Sequence, residues 1–153
     1  MKQRRIYLIL AVMWMALIFY MSSRDAAEST EDSLAVGRII CEILDPEFHL
    51  LEEPQQMTRM RAADHLVRKC AHAAEYAVLG FLLFMTLKKY RVRRCALPAL
   101  LLTACYAAGD EIHQYFVPGR SCQAGDVLID SAGALAAIIV TVLVSGYSEG
   151  RVS

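Results

Sequence analysis

Apolar residues gather along this chain in four blocks divided by charged stretches, and that spacing predicts an all-α protein. The first block runs from Ile6 to Met21 without a charge. A second runs from about Ala73 to Leu87 and is broken only by Glu75. The third runs from Ala96 to Ala108, and the fourth from Val127 to Val144, broken only by Asp130. A membrane-spanning helix needs roughly 20 apolar residues, within a range of about 17 to 25. The first and third blocks are short by that measure, and each is completed by residues beside it. Tyr7, Trp14 and Tyr20 mark the first helix, as aromatic residues do at membrane interfaces. The third starts near Pro98, a tolerated position in a first turn. It continues through Asp110-Glu111-Ile112-His113-Gln114 until Pro118-Gly119 break it. Spans are therefore expected at about 6–23, 65–87, 96–116 and 126–145, in one domain over residues 1–153. A soluble bundle is the alternative, but soluble helices keep a polar face.

The stretch from Ser22 to Asp64 is too long to be a structureless loop. Val36, Ile39, Ile40, Ile43 and Leu44 fall at i, i+3, i+4, i+7 and i+8, the apolar stripe of a helix. Ser29 or Thr30 is the expected cap, with Glu31 and Asp32 well placed in the first turn, and Asp45-Pro46 the stop. After Pro54 a further helical stretch leads into the second span. The expected fold is an integral membrane four-helix bundle. An additional amphipathic helix sits in the long outer loop between the first and second spans, on the outer surface or over the bundle.

Composition strengthens the membrane reading, with 56% hydrophobic residues and a mean hydropathy of +0.36. The net charge is zero, which gives no ground for a nucleic-acid partner. Its distribution says more. Lys2, Arg4 and Arg5 precede the first span, Lys88, Lys89, Arg91, Arg93 and Arg94 fill the link between the second and third, and the long loop is mainly acidic. By the positive-inside rule both basic segments are cytoplasmic. Four crossings return the C-terminus to the cytoplasm, and the long loop and the 116–125 link face outward. The first 21 residues have the basic start and apolar stretch of a signal peptide. Ser22-Ser23-Arg24 lacks a small-x-small cleavage pattern, although Asp25-Ala26-Ala27 follows closely, so a retained anchor is expected. The five cysteines, Cys41, Cys70, Cys95, Cys105 and Cys122, match no metal or redox spacing. Only Cys41 and Cys122 would both face outward, which leaves one disulfide open.

Polar residues inside the spans are the candidate chemistry. In the second, Arg68, His72, Glu75 and Tyr76 share a stripe, with Lys69 beside it. The third carries Asp110, Glu111, His113 and Gln114. In the fourth, Asp126, Asp130, Gly133 and Ala137 share a face, and small residues there let helices approach closely. Arg120 lies in the last link, and Ser22 and Ser23 end the first helix. A charge at bilayer depth costs on the order of 2.5–3.5 kcal/mol, so such residues face inward, pair and mark sites. Histidines among carboxylates suit proton transfer. The catalytic candidates are His72, Glu75, Asp110, Glu111 and His113. The ligand-binding candidates are Arg68, Lys69, Tyr76, Gln114, Arg120, Asp126, Asp130, Ser22 and Ser23. A buried ion-pair network that only locks the bundle is the plainer alternative, and Ser22 and Ser23 also suit helix-end caps. A divalent metal is a further alternative, but the spacing is not that of a helical HExxH motif. No metal ligand is assigned and no cofactor is expected.

These residues carry a family likeness. Trp14 to Ser23 (WMALIFYMSS), Asp64-His65, Arg68-Lys69-Cys70-Ala71-His72-Ala73-Ala74-Glu75-Tyr76 with Gly80, and DEIHQYFVPGR from Asp110 to Arg120 resemble the VanZ-like family. Asp126-Val127-Leu128, Asp130 and Gly133 complete the likeness, which covers most of the chain. Alanine at 73 stands where the family pattern has a bulky aromatic, so local packing is expected to differ. The family is named for a protein that lowers susceptibility to the glycopeptide teicoplanin, so the resemblance implies a role in the bacterial cell envelope. It implies a multi-pass protein of the bacterial cytoplasmic membrane and supplies no established reaction. The expected function is binding or modifying an envelope lipid or lipid-linked precursor at an outward-facing polar pocket. Arg68, Lys69 and Arg120 would hold its anionic groups, and His72 or His113 would carry the proton. A non-enzymatic scaffold and a small proton-coupled transporter are the alternatives, though no inverted repeat is visible. The oligomeric state is open.

Overall fold

The computed structural model describes residues 2–149, without the side chains of residues 2, 65 and 146–149. The flanking charge of Lys2, the place of His65 in the motif, and the tail from residue 150 lie outside the described residues. Among the described residues the chain is helical throughout and has no strand. It runs α1 (Lys2–Ser22), α2 (Ala26–Leu44), a 3-10 turn (Phe48–Leu50), α3 (Glu53–Lys89), α4 (Ala96–Tyr115) and α5 (Ala124–Glu149).

α1, α3 and α5 are each long and apolar enough to cross a membrane. α4 has 20 residues, about 30 Å at 1.5 Å per residue, but the polar run from Asp110 to Gln114 dilutes its hydropathy. The arrangement is inside-out relative to a soluble protein. Met13 on α1 is 64% exposed and Leu143 on α5 is 67% exposed, whereas Asp130 is 2% and Tyr76 0% exposed. An apolar exterior around a core of small and polar side chains suits hydrocarbon as the solvent.

Side-chain contacts fix the directions. Lys89 meets Gln3 at 3.2 Å and the Trp14 indole donates to the Glu75 carbonyl at 2.9 Å, so α1 and α3 are antiparallel. Tyr106 donates to the Met15 carbonyl at 2.6 Å, and Ser22 bonds Asp110, so α4 runs parallel to α1. α3 and α5 run parallel and approach most closely. A Cβ on Gly133 would lie 2.2 Å from the Ala73 carbonyl oxygen, and one on Gly80 would lie 2.8 Å from the Ala134 Cβ. Glycine at these positions is what allows the two backbones to touch. The small residue at 73 is part of the same seam.

α3 has 37 residues, about 55 Å, and exceeds a hydrocarbon core of about 30 Å. Glu52 and Gln55 form a capping box at its start, where the chain is polar enough to need one. Its first half extends beyond the level of Ser22 and carries α2 alongside. Asp25 caps α2 by accepting from the Glu28 N–H at 2.9 Å. Ser29 and Thr30, the expected caps, lie inside the helix, because Asp25 offers the better acceptor four residues earlier. Leu44 ends the helix and Asp45 is its C-cap, as Asp45-Pro46 requires. Ser33 and Gly37 are its buried residues, whereas Val36, Ile39, Ile43 and Leu44 are exposed. α2 thus packs on α3 through a small polar edge and turns its apolar stripe outward.

All five cysteines are free. Ala26 bonds Pro118 in the last link, and Cys41 lies 15 residues further along α2. That is about 22 Å away, well beyond the reach of Cys122 in a disulfide.

Candidate functional site

The polar residues of α3 form two groups. In its N-terminal half, Asp64 and Arg68 stand one turn apart and pair side-on. Arg68 Nε donates to Asp64 Oδ1 at 3.1 Å and Nη2 to Oδ2 at 2.9 Å. Nη2 also donates to Thr30 Oγ1 at 2.7 Å, and the Ser33 hydroxyl donates to Asp64. The network clamps α2 on α3 through charge-assisted bonds. Arg68 therefore pairs within its own helix, not with Glu75 or an α4 or α5 carboxylate. Lys69 reaches across to Asp126, with Nζ 2.5 Å from Oδ1, and ties α3 to the start of α5.

Deeper in the bundle the pattern changes. Ser22 donates to Asp110 Oδ2 at 2.8 Å, and the Gln114 amide donates to both at 3.2 Å. Buried Glu111 accepts the Gln123 N–H at 2.8 Å, which fastens the last link over α4. Yet His72 Nδ1, Tyr76 Oη, Asp110 Oδ1 and Asp130 Oδ1 are buried without a hydrogen-bond partner among the described residues. His72 Nδ1 lies 3.9 Å from Glu75 Oε2, too far for a hydrogen bond. Such unmet atoms are rare and costly in folded proteins.

Two clefts adjoin His72, and the second also reaches Asp130. One, of 150 Å³, opens between α2 and α3 among Met21, Val36, Val67 and Ala71. The other, of 290 Å³, lies over α3 and α5 and includes Lys69, Gln114, Asp126 and Asp130. Arg68, His72 and Arg120 line both. Arg120 is held by one bond, from its Nε to the Arg24 carbonyl at 3.3 Å. Among the described residues it forms no ion pair. Burial pushes its guanidinium below the ordinary value, with Arg68 adding to the effect and Asp110, Glu111 and Glu75 opposing it. Gly119 sets the turn that delivers it. Its φ of +74° is a left-handed value, and a Cβ there would strike Ala26 at 2.8 Å.

His113 stands elsewhere. Its ring stacks on Phe19 at 4.4 Å between centroids and lines a separate cleft of 260 Å³ with Tyr106 and Asp110. Its Nε2 lies 3.0 Å from Ser23 Oγ, which also lies 2.7 Å from the Phe19 carbonyl oxygen. His72 thus lines both clefts with Arg68 and Arg120, Glu75 lines the first, and His113 and Ser23 line neither. Among the described residues no group of three or more His, Cys, Asp or Glu side chains could hold a metal ion.

Sequence reasoning overlooked Thr30 and Ser33 as members of the polar framework. The i, i+4 spacing of Asp64 and Arg68 was visible, but nothing local ties them to α2.

Apolar-sided helices around a polar core, three of them long and apolar enough to cross a membrane, are those of a membrane protein. The family model described as VanZ/LLP1 matches residues 7–145, and the chain belongs to that family. No curated protein and no solved structure is detectably similar to it.

Proposed function

We propose that this VanZ/LLP1 protein crosses the bacterial cytoplasmic membrane four times, with α4 as a span and both termini in the cytoplasm. The contact between Lys89 and Gln3 supports the orientation, because it sets the two basic segments at one end of the bundle. At the opposite end, the paired clefts bind or modify an envelope lipid or lipid-linked precursor. The observation that carries this reading is the junction of a cleft with apolar walls and a polar one at Arg68, His72 and Arg120. An amphiphile places its head in the polar cleft and leads its chain past Met21 and Val36 toward the apolar surfaces of α1 and α2. Arg120 is the cation available to an anionic head, with Lys69 and Arg68 beside it. Of the two histidines, His72 is positioned to exchange a proton with the bound head, with Glu75 next to it.

A second reading, a scaffold whose polar cluster is structural, is favoured by the closed network of Arg68, Asp64, Thr30 and Ser33. One experiment separates them. His72→Ala, Glu75→Ala, Asp110→Ala and His113→Ala are made in the native host, and membrane abundance is measured with teicoplanin susceptibility. The site reading expects normal abundance with changed susceptibility in His72→Ala and Glu75→Ala, the two that line the clefts. Loss of function in step with loss of abundance supports the scaffold. Wild-type susceptibility in all four variants would remove the proposed site from the phenotype.

A further inference from the structure

Resting on the reading of the outer clefts as a lipid site, we propose that the bound headgroup is zwitterionic, with a phosphate held at Arg120 and a primary ammonium held at Asp130. The 290 Å³ cleft is lined by three cations, Arg68, Lys69 and Arg120, and three carboxylates, Asp64, Asp126 and Asp130. Two matched pairs account for four of them, Arg68 with Asp64 and Lys69 with Asp126. What remains is one cation and one carboxylate that do not pair with each other. The Arg120 guanidinium has only the Arg24 carbonyl as a hydrogen-bond partner among the described residues. Asp130 is 2% exposed, and its Oδ1 is buried without a hydrogen bond among the described residues.

A purely anionic head would answer Arg120 and leave the carboxylate buried and unmet, which is costly. A head carrying both signs answers both. A primary ammonium fits better than a quaternary one, because it has three N–H donors for a carboxylate acceptor. Quaternary ammonium groups are instead recognised on aromatic faces, and among the described residues no Phe, Tyr or Trp lines this cleft.

The test uses the full chain, delipidated in detergent, and native mass spectrometry with competing lipids of matched chain length. Phosphatidylethanolamine, its mono-, di- and trimethylated forms and phosphatidylglycerol are compared, with soluble phosphoethanolamine as competitor. Ethanolamine lipid is expected to bind about tenfold better than the trimethylated and glycerol lipids, the scale of one charge-assisted hydrogen bond. Asp130→Asn should erase the preference over glycerol lipid while binding persists, and Arg120→Gln should weaken every phospholipid about tenfold. If soluble phosphoethanolamine displaces the lipid at comparable concentration, the ligand is the free headgroup. If it does not, the source is the membrane lipid, and both results keep the same chemistry. Equal binding of all headgroups that still depends on Arg120 overturns the ammonium subsite and leaves the lipid site standing. Binding indifferent to Arg120→Gln removes both. Should Asp130→Asn fail to fold, the methylation series on the unsubstituted chain decides alone.

Discussion

Two polar clusters are centred on α3, two turns apart, and they are built differently. Around Asp64 and Arg68 each charged group has its partner. Thr30 and Ser33 supply further bonds from α2. Around His72, Tyr76, Asp110 and Asp130, four buried atoms have none among the described residues. A closed network removes its polar groups from water without leaving a deficit, so it acts as a clamp. An open one keeps a deficit that a ligand or water can meet. The ionisable residues of α3 are therefore divided between a closed network and an open one, although the sequence presents them as one stripe.

The largest expected effect tests the frame that both clusters share. Gly133→Ala would force a Cβ into the Ala73 carbonyl, at a cost on the order of 3 kcal/mol. Membrane abundance and thermal unfolding in detergent should both fall sharply. Gly109→Ala, where nothing lies within 4 Å, is the control and should be tolerated. Loss in both would mean that the α3–α5 seam is not what holds the bundle.

The comparison itself is sharpened by paired substitutions. Arg68→Ala strips the partner from Asp64 and should cost about 1–3 kcal/mol, below the value for fully buried pairs because both side chains retain some exposure. Arg68→Lys should recover only part of it, since lysine cannot bond side-on. Asp130→Asn has no partner to lose and should stay within about 1 kcal/mol of the parent. If Asp130→Asn destabilised as much as Arg68→Ala, the open cluster would be a lock like the other. The smallest effect is expected on the outward stripe of α2. Val36→Ser with Ile39→Ser should shift stability by no more than about 0.5 kcal/mol. A larger loss would show that those side chains are covered in the membrane-bound protein.

Much was determined by the sequence alone. Apolar block lengths set the helices to within a few residues except on α3, and Pro118-Gly119 marked the end of α4. The shared face of Asp126, Asp130 and Gly133 predicted an inward-facing α5, because helical periodicity is a local property. The DEIHQYFVPGR motif carried the family. Tertiary structure decided which polar groups meet. His72 and His113 lie at similar depth on neighbouring helices, yet α4 turns His113 toward Phe19 and Ser23. Rotation about a helix axis depends on what the neighbouring helices offer, so no local pattern shows it. The partner of Arg68, the outward turn of the α2 stripe and the unmatched pair of Arg120 and Asp130 depend in the same way on contacts between residues far apart in the chain. Local pattern states which residues are available for such contacts, and only the packed bundle selects among them.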